Sequence, residues 1–369
     1  MKTKLMLALI VSVFFLSGTA FAFHGGGVAH CDGCHSMHNS ADNARSGDAL
    51  APSLMKGSDP SSTCLNCHNG SARYHVNSAI GDNTNQGGDF FWVSDGAVHD
   101  LNVRGNIVTF EPDNKGHNII ASDFGLTVDA ANTVAPGGTF PSNALGCNSC
   151  HDPHGQVDGG TSAGIAAISV SGSYGAADPV DGSIHGNYRL LDENVAPAPV
   201  ATANSYDGAF VNYGDGMSDW CLGCHDQFGA ANMHPVDAPV PVAYNSYKAS
   251  GDFTGTVDTA FDALVPFERG LTDGSDPAMV ATSTRGVELG TETVMCLSCH
   301  RAHASAFDNA LRWDTAHEFI ADSAILNEAS TTLMANGAVP YYKGGVAVDV
   351  VTEYGPWQRQ LCNKCHVQD

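Results

Sequence analysis

The stretch Cys31-Asp-Gly-Cys34-His35 decides how this chain is read, because its pattern recurs five more times. The other copies are Cys64-Leu-Asn-Cys67-His68, Cys147-Asn-Ser-Cys150-His151, Cys221-Leu-Gly-Cys224-His225, Cys296-Leu-Ser-Cys299-His300 and Cys362-Asn-Lys-Cys365-His366. Together they use all 12 cysteines, while histidine makes up only 17 of the 369 residues. A histidine after every one of six CxxC pairs has a chance probability of roughly 10⁻⁸ on that composition. The spacing is the attachment signature of c-type haem: two thiols add across the two vinyl groups of one porphyrin, and the adjacent histidine binds the iron from one face. A zinc ribbon also uses paired CxxC but needs no histidine after each pair. A disulfide framework leaves the uniform spacing unexplained. A thioredoxin-like CxxC occurs once, inside a βαβ pattern. Six covalent haem c groups are therefore expected.

The first 22 residues read as an export signal. Lys2 and Lys4 form a basic start, Leu5 to Leu16 is almost wholly apolar, and Ala20-Phe21-Ala22 offers a small-x-small cleavage site. The apolar run is about a dozen residues, too short for a bilayer core of ~30 Å, and no later segment approaches 18 apolar residues. A signal peptide over 1–22 and one hexahaem domain over 23–369 are expected, exported to the outer surface or beyond, with a periplasmic location as the alternative. Removal of those 22 of the 369 residues leaves 347 and takes away Lys2 and Lys4, so the net charge moves from −23 to −25. Such a chain repels nucleic acid and anionic lipid, and tolerates cationic partners, metal ions and oxide surfaces. Solubility alone explains the charge equally well.

Six haems in 347 residues leave about 58 residues for each, too few to wrap every cofactor in its own domain. The haems must share walls and form much of the core themselves. Glycine is abundant, at 41 of 369 residues, and Val157 to Val180 lacks any helical or strand period. The motif histidines are 33, 83, 74, 75 and 66 residues apart, so no solenoid repeat runs through the chain. The expected fold is a mostly irregular multihaem cytochrome c: an elongated single domain around a stacked haem chain, with few short helices and minimal strand. Helical turns are expected at the CxxCH motifs and over Val257–Phe267 and Phe307–Ile325, and short strands over Asn106–Phe110 and Val346–Val351.

Eleven histidines lie outside the motifs: His24, His30, His38, His75, His99, His117, His154, His185, His234, His303 and His317. Every iron can thus take a second histidine without methionine, although Met37 and Met233 sit beside candidates and Met ligation would raise the potential. His38, His154 and His303 each follow a motif histidine by three residues, on the same side of a helical turn. None can reach its own motif's iron, whose near face is taken, so each points at a neighbouring haem. His75, His117 and His234 complete the set of six distal candidates. His24 is the reserve, and His30, His99, His185 and His317 read as surface or packing residues. An iron with two histidines has no vacant site, so the expected role is one-electron transfer and not catalysis. A multihaem reductase with one open haem is the rival, but no CxxCK variant occurs. A monomeric periplasmic shuttle is a third reading.

With these motifs stand the linking phrases FHGGGVAHCDGCHSMHNS from Phe23, GGDFFWV from Gly87, KGHNI from Lys115 and APGGTFP from Ala135. SCHDPHG from Ser149, NSYKASGDFTG from Asn245, CLSCHRAHAS from Cys296 and LCNKCH from Leu361 follow in order. Spread over nearly the whole chain, they resemble the OmcS-type extracellular hexahaem cytochromes, which polymerise into conductive nanowire filaments. The resemblance implies a head-to-tail homopolymer in which His38 of one subunit ligates the fifth haem of the next, held by Cys296, Cys299 and His300. A junction of that kind that does not close on itself propagates as a filament. It also implies donor and acceptor cytochromes or extracellular metal oxides as redox partners.

Overall fold

The computed structural model describes residues 31–36, 54–70, 75–78, 87–94, 99–103, 106–110, 114–151, 200–203, 211–229, 234–248, 251–256, 266–272, 276, 278, 287, 289–305, 307–312, 342–343, 346–347, 363 and 365. Regular structure among them is short. The helices are α1 (Cys31–Cys34), α2 (Pro60–His68), α3 (Met217–Leu222) and α4 (Cys296–Cys299). Each carries CxxCH cysteines, and the third motif lies on a 3₁₀ turn, Cys147–Ser149. The strands form three antiparallel hairpins: β1 (His99–Val103) with β2 (Asn106–Phe110), β3 (Ala201–Ala203) with β4 (Val211–Tyr213), and β5 (Tyr342–Lys343) with β6 (Val346–Ala347). In the first, His99 pairs with Phe110 and Val103 with Asn106.

Local chemistry sets the helix limits. Asp59 is extended (φ −146°) and its Oδ1 accepts from Ser62 N at 2.7 Å, capping α2, with Pro60 in the first turn where its missing N–H costs nothing. The other oxygen, Oδ2, accepts from Ser122 N at 2.8 Å and ties α2 to the turn Ser122–Phe124. Ahead of α3, Gly216 has no side chain to cap with. Glu268 does so from a distance, its Oε1 accepting from Met217 N (2.6 Å) and Ser218 N (3.0 Å). Burial, reinforced by Asp237 and Asp215, pushes the Glu268 carboxyl up despite these two donors.

The helix expected from Phe307 does not begin there. Residues 308–310 form a 3₁₀ turn in which Asn309 (φ 58°) and Ala310 (φ 55°) are left-handed. Tertiary hydrogen bonds override the periodicity: Arg301 N donates to Ala310 O at 2.7 Å, and Asn309 N donates to Asn114 O. The remainder of that segment, and 257–265, lie outside the described residues. The strand expected at Asn106–Phe110 is present, and Val346–Ala347 is the described part of the other.

The apolar interior is divided into small clusters, and each packs on CxxCH cysteines. Leu65, Phe90, Trp92, Val93, Ile119, Leu126 and Phe307 surround Cys147. Tyr213, Met217, Trp220, Met295 and Leu297 pack against Cys150 and Cys221. Val240, Tyr244 and Phe267 pack against Cys365. This is what shared haem walls would require: apolar side chains gathered beside the cysteines of the CxxCH motifs.

A candidate haem-binding array

Within a motif the two cysteines and the histidine stand at i, i+3 and i+4, one face of a single helical turn. The turn closes by backbone hydrogen bonds from the histidine N–H to the first cysteine's carbonyl: His151 to Cys147 (2.9 Å), His225 to Cys221 (3.2 Å) and His300 to Cys296 (3.0 Å). No cysteine with a described side chain is in a disulfide. Among the described residues no group of three or more His, Cys, Asp or Glu is arranged to hold a metal ion, so the described CxxC pairs do not form ribbon-type zinc sites. Motifs adjacent in sequence instead meet in space. The thiols of Cys64 and Cys147 are hydrogen-bonded, as are those of Cys221 and Cys296, with Cys34 near Cys64 and Cys150 near Cys221. The first five motifs therefore follow one another in chain order.

Three distal candidates face motif histidines across a narrow gap. His303 stands 6.3 Å from His151, His117 stands 6.0 Å from His225, and His234 stands 6.2 Å from His300, measured between ring centres. Two imidazoles on opposite sides of one metal, each bonded at about 2.0–2.1 Å with about 1.1 Å from nitrogen to ring centre, would be about 6.2–6.4 Å apart. Each gap thus fits one iron.

Ring orientation agrees with that use. The Nδ1–H of His117 donates to Ala302 O (2.6 Å), that of His225 to Pro136 O (2.7 Å), that of His300 to Asn309 O (2.7 Å) and that of His303 to Gly88 O (3.3 Å). A carbonyl can only accept, so Nδ1 carries the proton and Nε2 keeps its lone pair for a metal. Burial, with His225 and His300 nearby, pushes His117 down; burial, with His234, Arg312 and His225 nearby, does the same to His300. Both imidazoles are thereby held neutral, the form that ligates.

The linking phrases do the positioning. In GGDFFWV, Phe90 stacks on His303 at 4.8 Å, and Asp89 caps its turn by accepting from Phe91 N at 2.8 Å. Gly88 (φ +86°) lies so close to the Ala304 carbonyl that a Cβ there would sit 1.9 Å from its oxygen. In APGGTFP, the Pro136 carbonyl accepts from His225 Nδ1–H, and a Cβ on Gly138 would sit 1.8 Å from the Cys224 carbonyl oxygen. Phe228 stands between the His225 ring (5.9 Å, 11° between planes) and the His234 ring (4.8 Å). Phe228 and Glu268 carry no sequence signal of their own, since an aromatic or acid in a loop is unremarkable until the fold sets it beside a motif.

His35, His68 and His75 are also described. Val76 N donates to His68 O at 2.9 Å and Asn77 bridges to Asn69, so His75 lies against the second motif. His38, His154, Cys362 and His366, and the Cys31 side chain, lie outside the described residues. The pair His300–His234 has a consequence for the junction implied by the resemblance. The chain itself brings His234 within 6.2 Å of His300, at the motif where the resemblance implies a neighbour's His38.

No protein-family model matches the chain. A relative, the C-type cytochrome OmcS of Geobacter sulfurreducens, is 38% identical over 431 residues, covering 99% of this chain and 99% of its own length. The solved OmcS nanowires from Geobacter sulfurreducens match with a TM-score of 0.69 and 34% identity, over 94% of this chain and 100% of that one. The Outer Membrane Cytochrome S filament from the same organism gives a TM-score of 0.63 and 32% identity over the same shares. With near-complete coverage in both sequence and structure, and with six haem-attachment motifs, three of whose histidines face a second histidine at a spacing that fits iron, this chain belongs to the OmcS family of c-type cytochromes.

Proposed function

We propose that this protein moves single electrons over long distances outside the cell, as the subunit of a head-to-tail filament. The observation that carries this reading is the set of three facing imidazole pairs, 6.0 to 6.3 Å between centres, on successive motifs. In this reading the twelve motif cysteines attach six haem c groups. His35, His68, His151, His225, His300 and His366 bind the irons from one side. His303, His117 and His234 would take the second positions on the third, fourth and fifth, and His75, His154 and His24 would serve the remaining three. The irons, when bound, exchange one electron between ferric and ferrous states. The chain's own residues do the rest: the thiols would fix the order of the rings, and the imidazoles would occupy the iron positions and so exclude small substrates.

His234 would hold the fifth iron in a single chain, and His38 of the neighbouring subunit would replace it on assembly. Residues 1–22 are removed on export. No described helix is long and apolar enough to cross a membrane, and the acidic surface suits cationic acceptors such as metal oxides or redox partner cytochromes better than nucleic acid.

Carbon monoxide tests the reading against a reductase with one open haem. The fully reduced protein is expected to take up none. Stoichiometric uptake by one haem in six would favour the reductase.

A further inference from the structure

We propose that Phe228 is the positioning residue for His234: its ring sets the plane in which that imidazole faces the fifth iron. The proposal rests on the reading in which His234 holds that iron in a single chain. The last side-chain torsion of a histidine is broad, and a bond from Nε2 to a metal leaves the ring free to turn about that bond. A further contact must choose the plane, ordinarily a hydrogen bond from the other ring nitrogen. His117, His225, His300 and His303 each have one, to the carbonyls of Ala302, Pro136, Asn309 and Gly88.

His234 is different. Among the described residues its ring makes no hydrogen bond, and its neighbours are two other rings: His300 at 6.2 Å and Phe228 at 4.8 Å, the latter 42° from its own plane. His300 is the ligand opposite, across the gap for the iron. The contact left to choose the plane is Phe228.

Phe228 is itself held in place. It lies in the 3₁₀ turn Asp226–Gly229, where its N–H donates to His225 O at 3.0 Å. Its ring runs nearly parallel to that of His225, which the Pro136 carbonyl already fixes. The next residue, Gly137 (φ +65°), packs against it: a Cβ there would sit 2.8 Å from Phe228 Cε1. Gln227 N donates to Gly137 O at 2.9 Å and ties the two segments together. The loop at Pro136 and Gly137 thus holds His225 by a hydrogen bond and Phe228 by contact, and Phe228 passes that orientation on to His234. A flat ring with two torsions suits the task, since ring pairs favour centres about 4.5–7 Å apart in defined orientations.

The test uses the exported holoprotein in the His38→Ala background, where no neighbour competes for the fifth iron. Electron paramagnetic resonance of the oxidised protein reads the angle between the two imidazole planes at each low-spin haem. Adding His234→Ala should remove one of six low-spin signals; six retained would sink the ligand assignment, and the proposal with it. Phe228→Leu keeps apolar bulk without a ring, and should shift the g-values of that same signal while the other five stay. Phe228→Tyr keeps the ring and should leave all six in place. A six-haem Phe228→Leu protein with every signal unmoved would overturn the role of Phe228 alone, and so would equal shifts from Phe228→Leu and Phe228→Tyr. If Phe228→Leu loses haem, a density map of the His38→Ala protein decides: a phenyl ring in contact with the His234 imidazole supports the proposal, and an imidazole clear of it refutes it.

Discussion

A His38→Ala chain is expected to be exported, to carry six haems and to form no filaments at all. The reason is that the proposed junction is a coordination bond, and alanine offers no lone pair. The subunit itself should be undisturbed, because His234 already stands 6.2 Å from His300 and can fill the fifth iron from within. Its visible spectrum should therefore remain fully low-spin. His234→Ala should do the reverse: as a monomer it exposes one haem that binds carbon monoxide, and as a filament it binds none, since the neighbour's His38 covers that iron. Electron microscopy and carbon monoxide titration read both outcomes. Filaments of normal length from His38→Ala would reject the exchange.

Gly88→Ala is expected to be strongly destabilising. Gly88 has φ +86°, a region that costs an L-residue roughly 1–2 kcal/mol. Its added Cβ would lie 1.9 Å from the Ala304 oxygen, which is backbone and cannot rotate away. Overpacking of that kind costs about 1–3 kcal/mol more. Together these reach a sizeable part of the ~5–15 kcal/mol that holds a domain folded. The damage is local and functional as well. Asp89 N donates to Ala304 O at 3.1 Å, and His303 donates to Gly88 O, so pushing the two strands apart withdraws His303 from His151. The expected readout is a high-spin third haem together with a lowered unfolding midpoint. A low-spin spectrum with unchanged stability would contradict the assignment of His303.

What could be read in the sequence was chemistry; what could not was contact. Six CxxCH motifs require local turns, and α1, α2, α3 and α4 form on them because i, i+3 and i+4 share one helical face. The thinness of regular structure also followed from the ratio of haems to residues. The pairing of His303 with His151, 152 positions apart in the chain, has no periodic signature. Neither does the dependence of His225 on the Pro136 carbonyl. The helix read from Phe307 does not begin there because apolar spacing is blind to hydrogen bonds between distant segments, here Asn309 to Asn114. The same blindness hid Glu268, a carboxylate that caps a helix 51 residues earlier. Phrases such as GGDFFWV and APGGTFP carried the resemblance, and the structure gives their physical content: close backbone approach, a ring stacked on a ligand and a carbonyl that sets a tautomer.

Imidazole-capped haems, anchored in chain order, would give electrons a continuous path. Current along isolated filaments bridging two electrodes, compared with the same filaments after chemical removal of haem, tests it most directly. Intact filaments should carry current that falls to background once the haems are gone. Equal current from stripped and intact filaments would contradict the account.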